Sequence, residues 1–253
     1  AIKKAGACAG IQIAHAGRKA SANRPWEGDD HLADSDPQSW QTIAPSAVAF
    51  GANLPKVPQA MTLEDIERVK ADFVAAAKRA KKAGFEWLEL HFAHGYLAQS
   101  FFSIREVWPE NLPLTARFGV IEYDGRDEET LSESIHLTRQ FKQSGLDMLS
   151  VSIGFSTPDA DIPWGPALLA PIAERVRREA DIPVASAWGI DEPNTVNQVI
   201  TDKQMDLVMV GRAHLANPHW PYHAAKTLKI EDPAWVLPAP YAHWLSRYHA
   251  PDS

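Results

Sequence analysis

The sequence predicts an incomplete (β/α)8 barrel, and three features of the chain support that fold. Short apolar strands alternate with amphipathic helices from Gly10 onward, the pattern of a parallel sheet with helical crossovers. The pattern Gly-x-Gly-x-x-Gly after a first strand is missing, which disfavours an open, doubly wound sheet. Six strands are visible, whereas a closed barrel of this type needs eight. We therefore expect one partial barrel domain over residues 1–253, with two βα units preceding Ala1.

The first 60 residues predict a helix end, a strand and a long irregular segment. Residues 1–6 have lysines close to Gly6, as in the last turn of a helix with a left-handed cap. Residues 11–14 form the first strand. Residues 17–60 contain prolines and tryptophans with little periodicity, and excursions of this length in a compact domain are usually functional.

The clearest helix of the sequence begins at Thr62 and ends near Gly84. Thr62 and Asp65 have the spacing of a capping box, which satisfies the first backbone N–H groups of a helix. Apolar residues follow at a period of 3.6, as expected for one buried helix face. They are Ile66, Val69, Phe73, Ala76, Ala77 and Ala80.

Strands and helices continue to alternate over the rest of the chain. Apolar spacing predicts a helix from Leu131 to Gly145, another over residues 168–180, and a third that starts at Pro193. Pro238 and Pro240 predict an extended segment leading into the C-terminal residues. The remaining strands are expected at residues 85–90, 114–118, 148–151, 183–186 and 207–210.

Composition favours an enzyme that acts on a small molecule. The net charge is −7 and the basic residues are scattered, which argues against nucleic acid as a partner. No apolar stretch approaches the length needed to cross a bilayer, so no membrane association is expected. The single cysteine, Cys8, excludes an intrachain disulfide and favours a reducing, cytoplasmic location.

Two histidines at the end of a strand are the most suggestive candidates for chemistry. In a βα barrel the active site lies at the carboxyl ends of the strands, where His91 and His94 are expected, followed by Tyr96. Two imidazoles beside a phenol could polarise a carbonyl group and protonate a carbon. The pair could instead cap loops, or bind a metal with Glu89, although no further ligand is evident.

Glycine and arginine residues near the last strands indicate an anion site. Gly189 follows the fifth visible strand, and Gly211 and Arg212 follow the sixth, where barrels bind phosphate. They could equally serve turns and a surface ion pair. Arg117 lies within a strand, and its side chain would point inward toward an anion or ring edge, or outward toward helix carboxylates. Tryptophans in loop and terminal segments could line a ligand slot or pack: Trp26, Trp164, Trp188 and Trp244.

Four separated motifs in this order resemble the Old Yellow Enzyme family, in particular its YqjM-type, or thermophilic-like, ene reductases. The resemblance runs along almost the whole chain. The motifs are residues 10–19 (GIQIAHAGRK), 89–97 (ELHFAHGYL), 116–119 (ARFG) and Gly211-Arg212, with further similarity at 26–30 (WEGDD) and 239–244 (APYAHW).

The resemblance implies a (β/α)8 barrel that binds FMN and reduces activated alkenes (enones) or nitro compounds at the expense of NAD(P)H. Gln12 and Arg117 would contact the flavin ring, and Gly189, Gly211 and Arg212 its phosphate. His91 and His94 would bind the substrate oxygen and Tyr96 would supply a proton. Trp188 and Trp244 would form pocket walls, and the wall from Trp244 could belong to the pocket of a neighbouring subunit in a homodimer or homotetramer.

The sequence departs from the family pattern in two places. The opening strands, with a flavin-tuning cysteine, have no counterpart, and Cys8 is not that cysteine. After Ser103 a polar loop and part of a helix, belonging to the fourth βα unit, are missing. Two other functions remain open on the residues alone: a metal-assisted lyase or hydrolase acting on a phosphorylated substrate, and an inactive barrel fragment.

Overall fold

In the computed structural model, which describes residues 1–94, 104–158 and 160–248, a parallel sheet forms the centre of the molecule. Six strands lie across the sheet in their order along the chain, and every neighbouring pair is parallel. This curled sheet, with helices between its strands, confirms the prediction of a partial (β/α)8 barrel. The strands of this sheet are β1 (Gly10–Ile13), β4 (Trp87–Phe92), β5 (Leu114–Ile121), β6 (Met148–Ile153), β7 (Val184–Ser186) and β8 (Leu207–Val208).

Helices follow the strands and cover the outer face of the sheet. Helix α1 begins after Thr62, whose side-chain oxygen accepts from the backbone N–H of Asp65 at 3.1 Å, so the predicted capping box is present. The apolar faces of the first three helices pack on the sheet around Phe73, Ile135 and Val176. The helices are α1 (Leu63–Lys82), α2 (Asp127–Gln143), α3 (Ala170–Ala180), α4 (Pro193–Thr201), α5 (Arg212–Ala216), α6 (Trp220–Thr227) and α7 (Ala239–Leu245).

The two ends of the chain give one confirmed and one wrong prediction. Residues Lys3–Ala5 form a 3-10 helical turn that ends at Gly6 in the left-handed conformation, as expected. The extended segment predicted after Pro238 is instead helix α7. Pro240 occupies the first turn of that helix, where proline has no N–H to lose and its fixed φ already suits a helix.

The segment between Gly17 and Ala60 is largely irregular, as predicted, but contains a small second sheet. Strands β2 (Ile43–Ala44) and β3 (Gln59–Ala60) pair in parallel. The side chain of Arg18 fixes this segment against the loop after β6, because its Nη2 donates to the carbonyl oxygen of Ser156 at 2.7 Å. The long segment therefore lies over the end of the sheet where the predicted site residues are.

Within the described residues, no helix is both long and apolar enough to cross a membrane.

Candidate active site

His91 and His94 lie together at the carboxyl end of β4. His91 is the fifth residue of the strand and is buried, with Arg117 of β5 as its partner in the sheet. His94 follows the strand with a φ of +61°, a left-handed conformation that a non-glycine residue seldom adopts. This turn brings the two imidazole rings to a centroid distance of 4.9 Å. The two histidines therefore lie at the carboxyl end of a strand, where the sequence predicts them.

Arg117 points inward, toward these histidines. Its Nε and Nη2 atoms each lie 3.3 Å from the hydroxyl oxygen of Ser152 on β6. The same hydroxyl lies 3.1 Å from Nε2 of His94. One buried serine therefore connects the guanidinium to an imidazole at the mouth of the sheet.

Both histidines are neutral at physiological pH. Burial lowers the pKa of His91 to about 4, and the positive charge of Arg117 acts in the same direction. The pKa of His94 is also lowered to about 4, first by burial and then by the charges of Arg117, His91 and Lys19. Neutral imidazole has one N–H and one acceptor nitrogen, so each ring can donate a single hydrogen bond without carrying charge.

Gln12 and Glu89 are paired deeper in the same interior. They are partners across β1 and β4, and Nε2 of Gln12 donates to Oε1 of Glu89 at 2.5 Å. Glu89 is buried, and burial raises its pKa, while the hydrogen bond from Gln12 and the charge of Arg117 oppose that rise. The interior therefore contains an amide and a carboxyl group two residues below His91, while the Arg117 cation lies level with His91 in the sheet.

Aromatic rings form one wall beside His94. The ring of Phe155 lies 5.4 Å from that of His94 and 5.7 Å from that of Trp188, and Trp164 lies 5.3 Å from Trp188. The Trp188 indole N–H is buried and has no hydrogen-bond acceptor within the described parts of the chain. An aromatic slot with an unused N–H donor suits a flat ligand that carries acceptor atoms.

Two adjoining cavities open at this end of the sheet, and Trp188 borders both. The first has a volume of about 350 Å³ and is lined by Arg117, Gly189, Gly211 and Arg212, among others. The second, of about 730 Å³, is lined by His94, Phe155 and Lys19, among others. Their shared border brings the predicted anion site next to the histidines.

The two glycines that line the first cavity differ in backbone conformation and in the space around them. Gly189 has a φ of +68°, and a Cβ there would lie 2.5 Å from the carbonyl oxygen of Gly165, so a side chain cannot be accommodated. At Gly211 a Cβ would meet no atom within 4 Å. The backbone at Gly211 therefore borders open space that a ligand phosphate could approach.

Two predicted site residues are not brought to the site by the described structure. Tyr96 lies outside the described residues. Trp244 is on helix α7 with 72% of its surface exposed and is absent from the linings of both cavities as the described residues form them. Trp26 is likewise exposed, whereas Trp164 stacks near Trp188.

Two residues of the site, Ser152 and Phe155, were not among the predicted ones. The hydrogen bond between Glu89 and Gln12 was not predicted either. For Ser152 a signal was available, since Ser150 and Ser152 alternate with apolar residues along the fully buried strand β6. A period of two puts both hydroxyls on one face. In the portions of the chain that are described, no three His, Cys, Asp or Glu side chains group to hold a metal ion.

Comparison with known proteins identifies the family. Residues 1–106 match the family described as NADH:flavin oxidoreductase / NADH oxidase. The NADPH dehydrogenase of Geobacillus thermodenitrificans is 36% identical over 92% of this chain and 71% of its own length. The NADPH dehydrogenase of Bacillus subtilis is 30% identical over 93% and 71%. The chain belongs to this flavin oxidoreductase family. It is an FMN enzyme that uses NAD(P)H, and the resemblance to the Old Yellow Enzyme group is confirmed.

Two solved structures share the fold of this chain. Histamine dehydrogenase from Rhizobium sp. 4-9 matches with a TM-score of 0.66 and 22% identity, over 90% of this chain and 36% of its own. Morphinone reductase in complex with tetrahydroNAD matches with a TM-score of 0.65 and 20% identity, over 88% and 66%. The chain thus spans about a third of the former and two thirds of the latter.

The chemistry of the site fits FMN as the family's cofactor. FMN carries a phosphate dianion, and the first cavity offers the Arg212 guanidinium group with open backbone at Gly211. It also carries a planar ring with a polar edge, and the site offers the aromatic rings of Phe155 and Trp188, the Arg117 cation and, deeper in the interior, the Gln12 amide.

Proposed function

We propose that this member of the family is an ene reductase, acting on α,β-unsaturated carbonyl compounds or nitro compounds. The observation that carries the proposal is the pair of neutral imidazoles 4.9 Å apart beside a buried cation at the mouth of the sheet. Two neighbouring rings that each donate one N–H suit a single oxygen atom on which negative charge develops during a reaction. A carbonyl or nitro oxygen is such an atom.

The proposal assigns the family's cofactor to the interior of the sheet mouth. Gln12 and Arg117 would bind the polar edge of the flavin ring, and Gly189, Gly211 and Arg212 its phosphate. A fixed cation at Arg117 would stabilise negative charge on that edge. The chemistry that FMN supplies when bound is hydride transfer, taken from NAD(P)H in one half-reaction and given to the β-carbon of the substrate in the other.

The protein's own groups then bind and orient the substrate. His91 and His94 donate to its oxygen, which withdraws electron density from the β-carbon. Their low pKa values mean that each donates as a neutral group across the physiological range, so binding does not depend on imidazole protonation near pH 7. Trp188 and Phe155 provide a flat apolar wall. Tyr96 is proposed to supply the proton to the α-carbon, and Trp244 a pocket wall in a homodimer or homotetramer. We also propose a cytoplasmic location.

The test separates the two half-reactions in the purified, FMN-loaded enzyme. His91→Ala and His94→Ala should each slow oxidation of the reduced enzyme by 2-cyclohexenone by roughly tenfold to a thousandfold, the range for loss of one donor to a developing oxyanion. Reduction by NADPH should change much less, because it develops no charge on an enone oxygen. His136→Ala, at an exposed position of α2, is the matched control.

Equal loss in both half-reactions for the two variants would contradict the role of the imidazoles in binding the acceptor. A wild-type enzyme that oxidises NADPH but transfers nothing to enones or nitro compounds would contradict the substrate class. A chain that releases no FMN on denaturation would contradict the assignment of the cofactor to these residues.

A further inference from the structure

The hydroxyl of Ser152 lies between two groups of the site and is wholly buried. Ser152 is on β6 with Gly119 of β5 as its partner in the sheet, and 0% of its surface is exposed. Arg117 approaches the oxygen with Nε and Nη2, each at 3.3 Å, and His94 approaches it with Nε2 at 3.1 Å. Three nitrogen atoms therefore surround one hydroxyl group.

The donors and acceptors at this hydroxyl can be counted. A serine hydroxyl has one hydrogen to donate and two lone pairs to accept with. A guanidinium group can only donate, so the two contacts from Arg117 occupy the lone pairs. The remaining contact, to Nε2 of His94, must then be the one in which the hydroxyl donates. A proton on Nε2 would put three donors on one oxygen and leave the buried O–H without an acceptor at this position.

We propose that Ser152 is a positioning residue that holds His94 in the tautomer with its proton on Nδ1, using the charge of Arg117 to fix the direction of its own hydroxyl. The effect on substrate binding rests on the proposed function. A neutral imidazole has one N–H, so the nitrogen that carries it decides which side of the ring can donate to a substrate oxygen.

The charged and titratable groups around His94 favour the neutral ring on which this argument depends. Arg117 faces it from β5, His91 from β4 and Lys19 from the turn Gly17–Lys19. Each of the three opposes a positive charge on the ring, and burial opposes it most. The hydroxyl of Ser152, donating to the Nε2 lone pair, stabilises the same uncharged form.

Ser150 offers a matched control on the same strand. It is two residues earlier, faces the same side and is equally buried. Its hydroxyl lies 3.2 Å from the sulfur of Met209. Ser150→Ala therefore removes the same kind of buried hydroxyl from the same strand without removing the Ser152 hydroxyl.

The experiment measures the imidazole ¹⁵N chemical shifts of His94 in the FMN-loaded protein at neutral pH, assigned with His94→Ala. Protonated and unprotonated ring nitrogens differ widely in shift, so the spectrum reports the tautomer directly. We expect a single tautomer with the proton on Nδ1 in the wild type and in Ser150→Ala. Ser152→Ala should give a mixture and an upward shift of the His94 pKa from its low value, because the donor that favours the neutral ring is lost.

Ser152→Thr keeps the hydroxyl and should restore the single tautomer. Enone reduction by Ser152→Ala should fall by about fivefold, the cost of one neutral hydrogen bond, with a smaller change in reduction by NADPH. A proton on Nε2 in the wild type would overturn the proposal, as would an unchanged spectrum in Ser152→Ala.

The result separates this inference from the proposed function. If the wild type shows the Nδ1 tautomer and Ser152→Ala loses it, the role of Ser152 stands even when no enone is reduced. If enones are reduced and the His91→Ala and His94→Ala variants behave as expected, the proposed function stands. If the Ser152→Ala spectrum is then unchanged, only the role of Ser152 is wrong.

Discussion

Glu89 is a buried carboxyl group whose ionisation should be visible in the stability of the protein. Its pKa is raised by burial, and the Gln12 hydrogen bond and Arg117 reduce the rise without cancelling it. The folded state then binds a proton more tightly than the unfolded state, so this residue lowers the free energy of unfolding as pH rises through the ordinary glutamate pKa of 4.5 and above it.

Glu89→Gln should remove this pH dependence and still accept from Gln12 through its amide oxygen. The free energy of unfolding of the variant minus that of the wild type should therefore increase between about pH 4 and pH 7. Urea unfolding at a series of pH values measures the difference, with Glu110→Gln, at an exposed position before β5, as the control. Parallel curves for Glu89→Gln and wild type would mean that Glu89 titrates normally.

For individual residues, the sequence indicates which polar side chains lie at strand ends but not which groups they form hydrogen bonds with. His91, His94 and Arg117 could be selected because they follow or lie in clear strands. The pairing of Ser152 with Arg117 and His94 depends on sheet register and on the left-handed turn at His94, and neither is encoded by local spacing. Register follows from packing between distant segments, so these contacts required the structure.

Helix α1 has the most local determinants among the elements, and its cap can be tested alone. Thr62→Ala removes the side-chain acceptor for the Asp65 backbone N–H and should lower the free energy of unfolding by about 1 kcal/mol at pH 7. Hydrogen bonds from Thr62, then the Arg68 side chain, lower the pKa of Asp65 to about 2. A carboxyl group with a lowered pKa stabilises the fold at pH values above its ordinary pKa of 3.8. This stabilisation is lost as the pH falls toward 2, so the effect of Thr62→Ala on the free energy of unfolding should shrink over that range.

Urea unfolding of Thr62→Ala and of Thr227→Ala checks this prediction. Thr227 is the exposed last residue of α6, which makes it a suitable control for loss of a threonine on a helix surface. A constant difference between Thr62→Ala and wild type down to acidic pH would show that the Thr62 hydroxyl does not contribute to the low pKa of Asp65.

The elements that the sequence predicts well are those fixed by nearby residues. The Thr62 capping box and the 3.6-residue spacing after it give α1 to within two residues of Gly84. Strands β2 and β3 have two residues each and pair across the intervening chain, so no periodicity could reveal them. Pro238 and Pro240 are compatible with an extended chain or with the start of a helix, and their spacing does not decide between the two.

For the molecule as a whole, the candidate site collects residues from most of the sheet. Gln12 comes from β1, His91 from β4, Arg117 from β5 and Ser152 from β6, while the phosphate side is formed after β7 and β8. A parallel barrel makes this possible because all its strands end on the same side. Each sequence motif therefore supplies only part of the site, and the resemblance to the family rests on the order of several motifs along the chain.

Trp244 lies on the surface of the C-terminal helix, and its proposed role in a substrate pocket can be tested separately from a role in packing. An indole that is 72% exposed contributes little to the stability of its own chain, so Trp244→Ala should change the free energy of unfolding by less than about 0.5 kcal/mol. If Trp244 instead closes a neighbouring subunit's pocket in a homodimer or homotetramer, the variant should alter the relative rates with 2-cyclohexenone and a bulkier enone while FMN content stays the same. Trp235→Ala, 69% exposed on the adjacent turn Pro233–Val236, is the matched control and should leave the ranking unchanged. A Trp244→Ala enzyme that loses stability but ranks substrates like the wild type would show that the indole only packs.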